Sequence, residues 1–367
     1  MNFTFTDEQL SFGAAVREVL RDHCHPSERG SGWKQLAELG FFAALVDEEA
    51  GGLGLSLIDV IPALEETGRA AVPGPIVETL SAAPHVALAG RAGALPLAGR
   101  IGVVVDGVAL DADLAEVLVD AAGVALVDPV LEPLAGMDPG RVPFAVRASG
   151  GVPFALSAAG PEETGVVLRR VTVGVSAQLV GVARELLARS VDYAKARTQF
   201  GRPIGAFQAV KHQLADVAIA VEFAAPLVYR AALSVDHAVS RVGSDRAVSR
   251  AERDRAVSSL GRAVSGVERH RAVSRVERAD LGVERDRAVS SGERAVSGVE
   301  RDVSAAKVAA GEAAALAARV ALQVHGAIGY TDELDLRFWL ARTWSLTAAY
   351  GTTAAHRARV TEAVFGR

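Results

Sequence analysis

The sequence predicts a mainly helical protein with a β-rich unit in its middle. Apolar residues recur at helical spacing up to about residue 95 and again from residue 174, whereas the part between them has short β-branched runs separated by Gly, Pro and Asp. Half of the 367 residues are apolar, which suffices for a large core. We therefore expect a helical domain at 1–95, a reduced β domain at 96–173 and a second helical domain at 174–367.

The first domain carries helix-start signals as well as periodicity. Thr6 precedes two acidic residues and a helically spaced apolar series, a pattern typical of a capped helix N-terminus. Residues 33–45 repeat this apolar spacing, and the glycine-rich stretch 50–54 interrupts it. Further helices are predicted at 57–69 and, after two prolines, up to about residue 89.

Strands are predicted at 101–105 and 165–168, where valines and isoleucines cluster. Helical periodicity then returns through 180–197, 207–232 and 305–326. The last domain is thus expected to be a four-helix bundle.

A low-complexity segment at about 235–303 interrupts this bundle. The tetrapeptide RAVS, or a near copy, recurs there with spacings of mostly nine or seven residues, and the apolar residues of this repeat unit are only Ala and Val. Such a repeat cannot build a packed solenoid core, so we expect a mobile or loosely helical insertion. A nucleic-acid-binding arm is the alternative, which the mixed charge disfavours. The repeats begin at Arg246, Arg255, Arg262, Arg271, Arg287 and Arg294.

Composition narrows the classes of partner. The net charge is −5 with both signs interspersed, so no global field favours nucleic acid or an anionic membrane. The single cysteine, Cys24, excludes an intramolecular disulfide framework. No secretory signal stands at the start and no apolar stretch of about 20 residues is recognised, so a cytoplasmic protein without a membrane span is expected.

The most specific motif lies at residues 193–208, which read YAKARTQFGRPIGAFQ. It resembles the YxxxRxQFGxPIxxFQ motif in the C-terminal helical hairpin of acyl-CoA dehydrogenases. A guanidinium fork at the end of a helix can bind a pyrophosphate through paired hydrogen bonds. The resemblance implies that Arg197, Phe200 and Gln208 contact FAD, which in this family belongs to the neighbouring subunit.

Two further motifs extend the resemblance over both helical domains. Residues 323–330 read QVHGAIGY and resemble the family's QxxGGxGY, with Ala327 in place of the second glycine. The resemblance implies FAD contact at Gln323, Gly326 and Gly329, where glycine lets backbone approach a ligand closely. The glycines at 51–54 and the EETGR sequence at 65–69 resemble the N-terminal domain signature.

The sequence departs from the family where chemistry is required. A carboxylate must remove the substrate α-proton, and many members place a Glu directly before a Gly-Thr near the C-terminus. Tyr350 occupies that place, and no carboxylate stands near residues 171–172, the other position used in the family. A tyrosine with a pKa near 10 is a poor base at neutral pH. The family's Thr-Glu flavin loop and Trp-x-Thr strand are also missing from 99–173.

These departures resemble the non-catalytic β subunit of heteromeric α2β2 acyl-CoA dehydrogenases. The resemblance implies an FAD site shared with a catalytic partner subunit, an acyl-CoA substrate such as a bulky steroid side-chain thioester, and electron-transfer flavoprotein as electron acceptor. One alternative is a self-sufficient homotetramer in which a carboxylate such as Glu333 reaches the substrate. The other is a non-enzymatic scaffold built on the decayed fold.

Other polar clusters are expected to be structural. His23, Cys24 and His25 are adjacent in sequence, so on a helix their side chains diverge and cannot easily converge on one metal ion. The pairs at 48–49 and 65–66 are Glu-Glu, and we expect solvated positions for them rather than paired catalytic acids.

Overall fold

The computed structural model describes residues 4–88, 99–120, 124–147, 150–153, 161–264 and 281–366. Over these ranges the chain runs from a helical domain through a small sheet to a second helical domain, which confirms the predicted fold class. The helices are α1 Asp7–His23, α2 Trp33–Glu38, α3 Leu57–Arg69 and α4 Ile76–Leu88, followed after the sheet by α5 Pro161–Ala196, α6 Gln208–Val264, α7 Leu281–His325, α8 Leu336–Ala348 and α9 Thr353–Phe365.

Local signals placed the first helices well. The Thr6 hydroxyl accepts a hydrogen bond from the Gln9 amide at 3.3 Å, and the Gln9 side chain accepts one from the Thr6 amide at 2.8 Å, which forms a capping box. The helix α3 has the predicted bounds. The apolar series at 33–45 instead divides into α2 and a 3-10 turn at Phe41–Ala43, because Gly40 adopts a left-handed φ of 82° between them.

Helix α5 is the centre of the molecule and packs against α3, α4, α6, α7 and α8. Its crossing with α3 is so close that a Cβ at Gly181 would lie 1.9 Å from the Glu65 carbonyl oxygen, and one at Gly68 would lie 2.1 Å from the Gln178 carbonyl oxygen. Glycine is therefore required at both contact points.

The prediction of a strand at 165–168 is wrong. These residues lie in α5, which begins at Pro161. Val166 and Val167 are buried, and the neighbouring elements that surround α5 supply apolar contacts on several sides. A short apolar run with β-branched residues does not distinguish a buried helix from a strand, and here tertiary packing overrode the local preference.

The middle unit is a sheet of seven strands: β1 Ile101–Val105, β2 Val108–Leu110, β3 Val117–Asp120, β4 Val124–Val127, β5 Val130–Pro133, β6 Pro143–Arg147 and β7 Gly150–Pro153. Their order in the sheet is β5-β6-β2-β1-β3-β4-β7. The pair β1–β3 is parallel and the other pairs are antiparallel. The sheet meets the first domain through β1 and α4, where the Thr79 hydroxyl bonds both the amide and the carbonyl of Ile101.

Two helices of the bundle extend into the repeat segment from either side. Helix α6 extends to Val264 and α7 begins at Leu281, so both flanks of the 235–303 insertion are helical, while residues 265–280 lie outside the described part of the chain. Whether the segment is mobile stays a prediction.

By length and composition alone, Gly165–Ala196 and Gln208–Arg241 are long and apolar enough to cross a membrane. This corrects the expectation that no stretch reaches that length. The apolar window of the first is 94% buried inside the chain, as in a core helix of a globular protein, and two such helices are weak support for a membrane span.

Candidate functional site

The YAKARTQFGRPIGAFQ motif forms a tight hairpin between two bundle helices. Strand β8, Thr198–Gln199, pairs with β9, Arg202–Pro203, and Phe200 and Gly201 form the turn with φ values of 51° and 76°. Two left-handed residues in a two-residue loop match the twist of the paired strands. This conformation is unfavourable for a bulky side chain such as Phe200, which is nevertheless 91% exposed. Strain at an exposed aromatic residue favours a binding role.

Arg197 and Gln208 stand at the two ends of this hairpin. The Arg197 amide donates to the Tyr193 carbonyl, and its own carbonyl accepts from the Ile204 amide, both at 2.8 Å. These bonds fix the Arg197 backbone while its side chain is exposed, and Gln208 is exposed at the first position of α6. Arg202 lies 4.2 Å above the Phe207 ring, which places a second guanidinium group beside the turn.

The QVHGAIGY motif ends α7 and continues as a 3-10 turn at Gly326–Tyr330. Gln323 and Gly326 are exposed, and Gly326 has a φ of 65° with no atom within 4 Å of the position that a Cβ would take. Gly329 is buried, and a Cβ there would lie 3.2 Å from the Cβ of His325. Gly329 thus serves packing in this chain, and its contact with FAD stays a prediction.

Tertiary structure brings the two motifs together. The Tyr193 ring, one helical turn before Arg197, lies 4.4 Å from the His325 ring, two residues after Gln323. The ends of α5 and α7 therefore adjoin, and the exposed members of both motifs share one end of the bundle. These outward-facing groups can contact a molecule that lies outside this chain.

A second site lies between the sheet and α8. It is a cavity of about 420 Å³, within the usual size range of small-molecule pockets. Its walls come from the β1–β2 hairpin, the β5–β6 connection, α8 and the turn that follows α8. The lining residues are Val105, Asp106, Val108, Leu110, Ala135, Gly136, Met137, Arg141, Pro143, Trp344, Ser345, Ala348, Ala349, Tyr350 and Gly351.

A buried polar cluster adjoins this cavity. The Tyr350 hydroxyl donates to Glu78 Oε1 at 2.6 Å, and Arg141 Nη2 donates to the same oxygen at 2.6 Å. The side chains of Glu78 and Arg141 are fully buried. Burial and the Glu78 carboxylate raise the pKa of Tyr350 well above its ordinary value of 10. Although burial opposes the charge of Arg141, Glu78 and Asp111 raise the pKa of this guanidinium.

Two buried basic side chains, Lys307 and His356, contact the turn that carries Tyr350. Lys307 donates to the carbonyls of Leu346 at 3.0 Å and Thr347 at 2.8 Å, and burial lowers the pKa of its ammonium to about 7. His356 lies 3.2 Å from the Tyr350 carbonyl oxygen, and burial followed by the charge of Lys307 lowers its pKa to about 4. Tyr350 itself has a left-handed φ of 58°, so these contacts stabilise a strained backbone.

The sequence did not single out Glu78, Arg141 or Lys307, because each forms its hydrogen bonds with residues that are distant in sequence. The expectation that Glu65 and Glu66 are solvated was wrong, because both are buried. Glu65 accepts a hydrogen bond from Tyr229, and Glu66 accepts two from Arg17.

The pair at 48–49 is exposed as expected. Glu333, the candidate base of the homotetramer hypothesis, is also exposed and does not line the cavity. Within the described ranges, no group of three His, Cys, Asp or Glu side chains is arranged to hold a metal ion.

The helical domain, the small sheet and the second helical domain, together with the paired motifs, define a flavoprotein oxidoreductase fold. Residues 5–92 match the model of the acyl-CoA dehydrogenase N-terminal domain, and residues 167–265 and 266–365 match that of the C-terminal domain. The chain belongs to the acyl-CoA dehydrogenase family, whose members use FAD and oxidise CH–CH donors.

Similar sequences come from mycobacteria. Acyl-CoA dehydrogenase IpdE2 of Mycobacterium tuberculosis is 32% identical over 59% of this chain and 68% of its own length. IpdE2 of Mycolicibacterium smegmatis is 32% identical over 54% of this chain and 64% of its own length. Acyl-CoA dehydrogenase FadE34 of M. tuberculosis is 32% identical over 56% of this chain, but the match spans only 32% of that protein.

Solved structures share the fold at lower identity. The ChsE4-ChsE5 complex of M. tuberculosis has a TM-score of 0.72 at 18% identity and covers both chains fully. The glutaryl-coenzyme A dehydrogenase complex with glutaryl-CoA has a TM-score of 0.70 at 19% identity, over all of this chain and 97% of that one. The Tcur3481-Tcur3483 steroid ACAD has a TM-score of 0.66 at 19% identity, over 98% of both chains.

Proposed function

We propose that this chain is the accessory subunit of a heteromeric FAD-dependent acyl-CoA dehydrogenase and completes the FAD site of a catalytic partner. The observation that carries the proposal is the outward orientation of the cofactor motifs. Arg197, Phe200, Gln208, Gln323 and Gly326 are all exposed at one end of the bundle. Groups placed in this way would bind a cofactor held mainly by another subunit.

These surface residues fit FAD chemically. The Arg197 guanidinium can donate two parallel hydrogen bonds to a pyrophosphate, and Gly326 lets backbone approach a nucleotide without a side chain between them. Phe200 offers an apolar face beside them. When bound, FAD supplies the acceptor for the hydride that leaves the substrate β-carbon. The residues of this chain would bind and orient it.

The polar cluster at Tyr350 supports a non-catalytic role. Removal of the substrate α-proton requires a group that is unprotonated at neutral pH. The Tyr350 hydroxyl keeps its proton because its pKa is raised, and it already donates that proton to Glu78. Glu78 is itself buried and paired with Arg141. The base is therefore assigned to the partner subunit.

Assembly is supported by an apolar stripe on α6. Ile219, Phe223 and Leu227 are spaced four residues apart, so they share one helix face, and they are 55%, 76% and 37% exposed. Exposed apolar residues in a row favour a protein interface. The ChsE4-ChsE5 and Tcur3481-Tcur3483 structures each contain two different subunits. By analogy we infer an α2β2 assembly.

The analogy extends to substrate and electron acceptor. Because the Tcur3481-Tcur3483 structure is described as a steroid ACAD, we infer a bulky acyl-CoA thioester, such as one with a steroid side chain, as the substrate of the complex. Electron-transfer flavoprotein would reoxidise the flavin, and the complex would act in the cytoplasm.

The proposal is tested by the flavin absorbance of the purified chain, alone and after co-expression with a candidate catalytic subunit. We expect a colourless chain alone and one flavin per heterodimer in the complex. A yellow chain with one flavin of its own would refute the accessory role and favour the homotetramer. A colourless chain that forms no complex would favour the scaffold.

The residue-level test is Arg197→Ala in the co-expressed complex. We expect a lower flavin content at unchanged subunit stoichiometry, because the proposed pyrophosphate contact is lost. Arg147→Ala, whose wild-type side chain is 80% exposed on the sheet, is the matched control and is expected to leave flavin content unchanged.

A further inference from the structure

A separate cavity of about 380 Å³ lies where α1, α3, α5 and α8 meet, within the size range of small-molecule pockets. It shares no wall residue with the cavity beside Tyr350, and none of the proposed FAD contacts lines it. Its wall includes Cys24, Pro26 and Ala70, which are half-buried, and several arginine and acidic side chains of α1, α3 and α5. A ligand there would combine a charged group with an apolar body.

The two glutamates of this wall each have an arginine partner. Arg17 donates to both oxygens of Glu66, from Nη2 to Oε1 at 2.7 Å and from Nε to Oε2 at 2.9 Å. Arg189 Nε donates to Glu185 Oε1 at 2.8 Å, and the guanidinium carbon of Arg189 lies 3.7 Å from the centre of the Trp339 ring. These charge-assisted hydrogen bonds compensate both carboxylates within the chain.

Arg69 differs from these arginines, because its guanidinium group forms no hydrogen bond with the described residues. Arg69 Nε is 3.6 Å from Glu66 Oε1 and Nη1 is 3.8 Å from Glu185 Oε2, and both distances exceed those of hydrogen bonds. The side chain is 33% exposed, while Trp339 Nε1 donates to the Arg69 carbonyl oxygen at 2.7 Å and fixes the backbone. The cavity therefore presents a guanidinium group whose N–H donors are available to a ligand.

Charge selects the group that this guanidinium would bind. Four arginines and three carboxylates line the cavity, an excess of one positive charge when histidine is neutral. Arg21 is already bonded to Asp22, which lies outside the wall, so Arg69 is the arginine left for a ligand. A carboxylate matches the paired N–H donors of a guanidinium and carries one negative charge. A phosphate monoester would bring a second negative charge close to Glu66 and Glu185.

We propose that this cavity binds a small monocarboxylate, whose carboxylate accepts paired hydrogen bonds from Arg69 and whose apolar body lies against Cys24, Pro26 and Ala70. All of these residues belong to this chain, so the site requires neither flavin nor the partner subunit. It would give an accessory subunit a ligand-binding function of its own.

The test compares 3-phenylpropanoate with 3-phenylpropanamide, which have the same apolar body and differ in the charged group. Each is titrated into the full-length chain by calorimetry at about pH 8, where phenyl phosphate, the third ligand, is a dianion. We expect one carboxylate per chain and about tenfold or weaker binding of the amide. Equal binding of the amide, or no carboxylate binding at millimolar concentration, would overturn the proposal. Tighter binding of phenyl phosphate would overturn the choice of a monoanion.

Two variants with the same substitution locate the carboxylate contact. Arg69→Met removes the guanidinium group and should weaken 3-phenylpropanoate about tenfold or more, whereas Arg21→Met, in the same wall, should leave the affinity nearly unchanged. Thermal unfolding shows that each variant is folded. An equal loss in both variants would mean that the ligand responds only to the general positive charge, and it would refute the contact with Arg69.

A measurement on the wild-type chain needs no variant. Cys24 is the only cysteine and lies in the cavity wall, so its alkylation by iodoacetamide reports on occupancy of the site. Saturating 3-phenylpropanoate should slow this alkylation, and the amide at the same concentration should not. Unchanged alkylation with the carboxylate bound would place the ligand elsewhere. None of these results depends on the flavin content of the co-expressed complex, so the two proposals can fail separately.

Discussion

Replacement of Glu78 by Gln should reveal how strongly the buried cluster joins the three units of the chain. Glu78 belongs to α4, Arg141 to the connection before β6, and Tyr350 to the turn after α8. The glutamine is isosteric, so it leaves no cavity and still offers an oxygen to Arg141 and Tyr350. The substitution therefore removes mainly the negative charge that compensates the buried guanidinium.

The expected cost follows from the burial of both partners. Removal of one partner of a fully buried ion pair typically costs about 3–5 kcal/mol, because the other charge remains buried without compensation. Asp111 also acts on Arg141 and compensates part of that charge. We therefore expect Glu78→Gln to lower the free energy of unfolding by about 3 kcal/mol.

Urea unfolding is the assay, followed by tryptophan fluorescence and by circular dichroism. Coincident transitions would justify a two-state treatment of this multi-unit chain. The matched control is Glu132→Gln, because Glu132 and Arg147 form an exposed ion pair on the sheet, with 3.8 Å between Glu132 Oε2 and Arg147 Nη2. That surface pair should contribute less than about 1 kcal/mol.

A double-mutant cycle separates charge from packing. Because Arg141→Met removes the buried charge, the double variant Glu78→Gln/Arg141→Met should be more stable than the sum of the two single effects predicts, by about 2 kcal/mol. The reasoning is refuted if Glu78→Gln costs no more than Glu132→Gln, or if the two single effects add.

Three further predictions concern buried bases and close backbone contacts. The pKa of His356 is lowered from 6.5 to about 4, so between these pH values the unfolded state binds more protons than the folded state. The free energy of unfolding should therefore fall by roughly 3 kcal/mol as the pH drops from about 6.5 to 4. The urea midpoint of His356→Gln should depend less on pH across this range. The pKa of Lys307 is lowered to about 7 from 10.5, so stability should rise as pH increases from about 7 toward 10.5, and an equal rise in Lys307→Met would contradict this origin. Gly181→Ala should destabilise the chain by about 3 kcal/mol or more because the new Cβ meets the Glu65 carbonyl, whereas Gly298→Ala, with open space around a Cβ, should be neutral or stabilising by up to about 1 kcal/mol in thermal melts.

Local sequence patterns predicted the elements whose cause is itself local. The capping box at Thr6 and the bounds of α3 depend on residues a few positions apart. The helical hairpin at 193–208 was expected from the family resemblance, whereas the pairing of β8 with β9 around the Phe200–Gly201 turn was not predicted. The strand at 165–168 was mispredicted because burial of valines in the central helix α5 depends on neighbours that periodicity does not reveal.

Long-range pairing explains what was missed in the candidate sites. Glu65 and Glu66 look like solvated helix residues until Tyr229 and Arg17 are seen to approach them from 164 and 49 residues away. The meeting of the two cofactor motifs is likewise visible only in space, where the Tyr193 and His325 rings come within 4.4 Å.

The sequence by itself determined the fold class, the family resemblance and the substitution of Tyr350 at the usual base position. Tertiary structure alone decided what Tyr350 does, because its partner Glu78 is 272 residues away and the Arg141 that compensates Glu78 is 63 residues from it. Helical and strand periodicities arise from contacts along one element, whereas a buried charge is tolerated only when a distant chain segment supplies its partner. Folding brings the distant partner to the buried charge, and no local sequence pattern predicts which residue that partner is.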